Sequence, residues 1–127
     1  MDGKALNGGG ATVANPSKRK GDKAELEVQG ILRDLLGVPA RRALGAGRKD
    51  DVGDITGVPD TVIQVVDYAP KYLANALREK PLECERQTLN VAGSSAAFGA
   101  TFVRLRGGDY RVVMTPEQWA AMWREAQ

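Results

Sequence analysis

The chain contains no histidine and only one cysteine, Cys84. Without histidine there is no serine–histidine or cysteine–histidine catalysis, no imidazole general base, and little scope for a transition-metal site. One cysteine excludes an internal disulfide and a multi-cysteine zinc site. No run approaches the roughly 18 apolar residues of a membrane span. The first residues hold no hydrophobic block that would serve as a secretion signal, so a cytoplasmic protein without membrane contact is expected. Chemistry is left to carboxylates, lysine and backbone, and the metal that suits such ligands is a hard one, Mg²⁺ or Mn²⁺.

What is present fits one soluble domain: 127 residues, 43% apolar and 27% charged. The net charge is +2, but residues 1–49 carry +5 and residues 50–127 carry −3. Two readings fit this split: a polyanion-binding face beside an acidic cluster, or an unevenly charged solvated surface. Residues 1–20, rich in glycine and ending in Lys18-Arg19-Lys20, read as a flexible basic tail ahead of a domain over 21–127.

A first helix is expected from Asp22 to Leu36, opened by a capping box of Asp22 and Glu25 and closed by Gly37. At about 100° per residue, Ala24, Val28, Ile31, Leu32, Leu35 and Leu36 share one face. Glu25 leans into that stripe, where a carboxylate either caps its own helix or needs a partner or a task. Glu27, at the opposite margin, reads as more solvated. Ala40–Leu44 reads as a strand with Arg41 and Arg42 on opposite faces. Residues 45–51 form a loop in which Asp50 and Asp51 act as caps, and Val52–Thr56 and Thr61–Val66 are strands around a turn that holds Asp60. In Thr61–Val66 every residue but Gln64 is β-branched, which suits a central buried strand.

Residues 70–79 read as a helix, and Pro81 starts another running to about Val91. Ala96–Leu105 and Tyr110–Met114 form a hairpin around Gly107-Gly108-Asp109. Thr115 caps a last helix, with Pro116 in its first position and Gln118 closing the box. Trp119, Met122 and Trp123 share one face of it and read as core. The order α-β-β-β-α-α-β-β-α calls for an α/β fold, a central mixed sheet with helices on its faces.

Lys20-Gly21-x-x-x-Glu25, Arg42-Ala43-Leu44-Gly45-Ala46-Gly47, Gly53-Asp54-Ile55 and the hydrophobic strand after them resemble the PD-(D/E)xK nuclease superfamily. The likeness is strongest to its Holliday junction resolvase branch, including small resolvase-like proteins of actinobacterial phages. The resemblance spans about residues 18–115. It implies a restriction-endonuclease-like core with about five strands, and a metal-dependent endonuclease that cuts branched DNA as a homodimer. It places Glu25 and Asp54 on metal-ligand positions, where clustered carboxylates hold Mg²⁺ to activate water and stabilise an anionic transition state. Arg41, Arg42, Arg48, Lys49 and Lys20 would bind the flanking phosphates.

Where the family has Glu-x-Lys, this chain has Gln64-Val65-Val66. Gln64 offers a neutral carbonyl as third ligand, and Val66 offers nothing. Lys80 is the candidate substitute for the lysine, against the reading of a helix-start lysine in water. Glu83, Glu85 or Asp67 could supply the missing charge. The alternative to an enzyme is a nuclease-fold DNA-binding protein that has lost cleavage.

Overall fold

The structure is a computed structural model that describes residues 16–43, 53–91 and 97–127, with residues 16–20 given by backbone alone. In chain order the described residues form α1 (Pro16–Leu36), β1 (Arg41–Arg42), β2 (Ile55–Thr56), β3 (Thr61–Val66), α2 (Pro70–Thr88), β4 (Phe98–Arg104), β5 (Tyr110–Val113) and α3 (Pro116–Glu125). The strands make one mixed sheet in the order β1-β2-β3-β4-β5. Only β3 and β4 run parallel, and the other pairs are antiparallel. A parallel pair needs a long crossover, and α2 supplies it. The expected α/β fold with a five-stranded mixed sheet is present, and the β-branched strand Thr61–Val66 is at its centre.

Alternation along β3 divides the core. Ile63 meets Val28 and Leu32 of α1, together with Ala40, Ile55 and Ala100. Val66 faces the other way, packing with Ala76 of α2 and Val103. Thus α1 covers one face of the sheet, and α2 with the start of α3 covers the other. Gly99 on β4 marks the closest approach on the second face. A Cβ there would lie 2.6 Å from Gln118 Nε2 and 2.8 Å from Cys84 Sγ.

Four expectations are corrected. First, α1 begins at Pro16, six residues before the expected start, so residues 16–20 are its first turn rather than tail, and residues 1–15 lie outside the described residues. Proline at a first helical position is preorganised for this. Asp22 is therefore inside the helix, and its carboxylate goes to Arg42 instead of a cap.

Second, residues 70–88 are one helix with Pro81 inside it, where two were expected. A proline interior to a helix costs about 3 kcal/mol. Burial of Ala76 before it and of Cys84 and Gln87 after it holds both halves against the sheet. Third, only Ala24, Val28 and Leu32 of the α1 stripe are buried, while Leu35 and Leu36 are exposed beyond the reach of the sheet.

Fourth, Trp119, Met122 and Trp123 are exposed at 58%, 47% and 52%, not core. The helix docks instead through Gln118, which is buried and donates through Nε2 to Pro81 O at 3.4 Å. Thr115 and Gln118 do form the expected capping box.

Candidate functional site

Gly53 sets the position of Asp54. Its φ is +98°, and a Cβ there would fall 2.7 Å from Ile63 O. Only glycine lets this backbone approach β3 so closely. Asp54 N then donates to Ile63 O at 2.7 Å, and Asp54 Oδ2 accepts from Val65 N at 2.9 Å. The carboxylate thus continues the ladder along β3 just where β2 stops. The register Ile55↔Ile63 sets Asp54 beside Gln64.

Gln64 is 3% exposed and faces α2, where its Nε2 donates to Gln87 Oε1. Val66 points the same way and is fully buried in the apolar cluster with Ala76 and Val103. The two positions at which the resemblance asks for glutamate and lysine are therefore filled by an amide bonded to another amide and by a core residue.

Glu25 lies on α1. Its Oε1 accepts from Arg42 Nε at 3.1 Å, and Arg42 Nη2 reaches Asp22 Oδ1 at 2.6 Å. Arg42 N also donates to Gln29 Oε1 at 2.9 Å, and Arg33 Nε donates to Ala40 O at 2.7 Å. Residues 22, 25, 29 and 33 recur at helical spacing on one face, so they form a polar seam that pins residues 40–42 to α1. The task of Glu25 is thus a shared guanidinium, and Arg42 is engaged within the protein, whereas Arg41 faces solvent.

Lys80 is half-buried and pairs with Glu83 Oε1 at 3.2 Å. Burial pushes its pKa down, but Glu83, Tyr68 and Asp54 outweigh this and the net shift is upward. It is a fixed positive charge at neutral pH, not a proton acceptor. Glu85 stands apart from this pair, against Glu117 and Gln118 near the start of α3. Asp60 takes a left-handed turn conformation at φ 54°, as a turn residue should. Arg48, Lys49, Asp50 and Asp51 lie outside the described residues, as does the side chain of Lys20.

The arrangement brings Asp54, Gln64 and Lys80 to one region, while Glu25 on α1 is bonded to Arg42. Among the described residues no three His, Cys, Asp or Glu side chains form a group able to hold a metal ion. The candidate ligands are engaged within the protein: the Gln64 amide with Gln87, one oxygen of Glu25 with Arg42, and one oxygen of Asp54 with backbone.

Beyond Asp54 the open edge of β3 borders a cleft of about 640 Å³, lined by Asp67, Tyr68, Tyr72, Glu79, Lys80 and Glu83 among others. Sequence reasoning missed its two tyrosines. The signal was faint: Tyr68 and Tyr72 flank the proline that starts α2. It also missed a cluster at the middle of α1. Glu27, expected in water, accepts from Tyr110 Oη at 2.7 Å and from Arg104 Nε at 3.0 Å.

The Tyr110 hydrogen bond, with Arg104 assisting against the effect of burial, holds the Glu27 carboxyl below its usual pKa. Burial and Glu27 push the Tyr110 phenol well up, and burial raises the Cys84 thiol to about 11, leaving it inert. Among the described residues no helix is long and apolar enough to cross a membrane. Comparison with known proteins gives no matching family model, no matching curated protein and no matching solved structure.

Proposed function

We propose that this chain is a branched-DNA-binding protein built on a nuclease-like core from which hydrolysis has been lost. One observation carries the loss: Gln64 is bonded to Gln87 and Val66 is packed into the core at the positions the resemblance assigns to catalysis. The order of the sequence marks and the basic first third of the chain support the DNA reading. Arg41, with Lys20, Arg48 and Lys49, supplies charge for phosphates; Arg42 instead holds the edge strand to α1. A cytoplasmic homodimer, in the host cytoplasm if phage-encoded, suits a four-way junction, whose symmetry two equivalent surfaces match.

The second reading, an active Mg²⁺- or Mn²⁺-dependent endonuclease, is favoured by one feature. Lys80 lies within electrostatic reach of Asp54 and remains protonated.

The deciding experiment incubates the protein with a labelled four-way junction in Mg²⁺ and in Mn²⁺, beside Asp54→Ala. The expected result is a complex with no cuts in either metal, and Asp54→Ala binding like the parent. Binding should weaken with salt, and Arg41→Ala should lower that salt slope by about 1. Cuts near the branch that vanish in Asp54→Ala would install the second reading. Failure to prefer the junction over plain duplex would sink both.

A further inference from the structure

The cleft beside β3 is mixed in charge, its lysines Lys71 and Lys80 being outnumbered by Asp67, Glu79 and Glu83. Two aromatic rings stand open at it, Tyr68 at 44% exposure and Tyr72 at 57%. Lys71 Nζ lies 5.0 Å from the centroid of the Tyr72 ring. The lining also carries the carboxylates of Asp67 and Glu79, while Glu83 is taken up by Lys80. A phosphate inside would meet those acids at close range. A flat, uncharged, amine-bearing ring would not.

We infer that this cleft receives a single unstacked nucleotide of the bound DNA, its base against the tyrosines and its exocyclic amine toward Asp67 and Glu79. The inference rests on the DNA-binding reading and deepens it. The volume of about 640 Å³ lies within the roughly 300–1,000 Å³ range of small-molecule sites. Each feature has its counterpart in a nucleotide. Exposed aromatics provide stacking for any base. Carboxylates accept from the N4 amine of cytosine, and the N6 amine of adenine offers the same donor. Thymine, with carbonyls on both sides of its one N–H, matches the acids less well. The Lys71 ammonium over Tyr72 gives way to the base and moves to the phosphate behind it, keeping positive charge at the rim. Branch points are where such a base is available, because pairing is interrupted there and unstacking costs least.

The test uses duplexes with a short single-stranded overhang carrying 2-aminopurine, against the same duplex with blunt ends. Base–aromatic stacking contributes about 1–3 kcal/mol, so the overhang should bind at least about fivefold tighter than the blunt end. The 2-aminopurine emission should be quenched on binding. Tyr72→Ala should abolish the preference and the quenching while leaving blunt-end affinity unchanged, and Tyr72→Phe should retain both. Overhangs of cytosine or adenine should outbind thymine, and Asp67→Asn with Glu79→Gln should flatten that ranking.

Equal affinity for overhang and blunt end, or a Tyr72→Ala loss that falls equally on both, would overturn the inference and leave junction binding standing. A cleft that instead takes a lysine-rich peptide in a Tyr72-dependent way would also overturn it. Absence of binding to any DNA would remove this inference together with the reading beneath it.

Discussion

Glu27 shows how a side chain's neighbours override its place on a helical projection. By position it belongs at the wet margin of α1, yet its partners Arg104 and Tyr110 lie 77 and 83 residues further along the chain. Nothing local could have named them. The lowered carboxyl has a consequence with a definite sign. A carboxylate whose folded pKa is depressed stabilises the fold above its ordinary value, and that contribution is lost as pH falls through the lowered one. The ordinary value is 4.5. Tyr110 behaves in mirror fashion: its raised pKa favours the neutral phenol, so its contribution is complete below 10.0 and declines as pH rises past that value. Glu27→Gln should therefore be less stable than the parent by a constant margin near neutral pH, and the margin should shrink in acid below about pH 4.5. Urea midpoints measured across pH check this, and a margin unchanged well into acid would refute it.

Among the elements, two glycines should respond in opposite directions to the same substitution. Gly30 lies inside α1 with nothing within 4 Å of a built Cβ. Gly30→Ala should raise stability by about 0.5–1 kcal/mol through helix propensity alone. Gly53 combines a positive φ with a backbone oxygen 2.7 Å from the would-be Cβ. Gly53→Ala should cost about 1–3 kcal/mol and loosen the Asp54 contact to β3. Chemical denaturation of the pair decides it, and equal effects of either sign would contradict the placement of Asp54. The Gly-Asp dipeptide was legible as a mark in the sequence. The reason for its glycine was not, since it depends on how near Ile63 comes. Pro81 teaches the same lesson, because a local rule for ending a helix yielded to burial of residues on both sides of it.

At the scale of the molecule, the sheet is a partition. Glu25 looks like a site residue in the sequence because it leans into the apolar stripe of α1, and in the structure it is half-buried. It meets Arg42 of β1, while Gln64 meets Gln87 of α2. The last helix turns on the same issue of sides. Its tryptophans share a face, as expected, but that face looks outward. Both tryptophans of the chain lie on α3, so intrinsic fluorescence tests the helix orientation directly. Emission should be red-shifted, close to that of tryptophan in water, and readily quenched by iodide. Trp123→Ser should change stability by no more than about 0.5 kcal/mol. A blue-shifted, protected emission would show that α3 packs the other way round.

The sequence by itself determined the alternation of strands and helices, the central place of Thr61–Val66, the hairpin turns and the cap of α3. These follow from rotamer stiffness, backbone freedom and hydrogen bonding within a few residues, all of which are local. Tertiary structure alone decided which side of each amphipathic element meets protein, whether Pro81 breaks a helix, and which partner each charged side chain takes. Those outcomes depend on groups brought together from distant parts of the chain. Periodicity fixes that a face exists, but burial chooses its direction only when something is there to cover it.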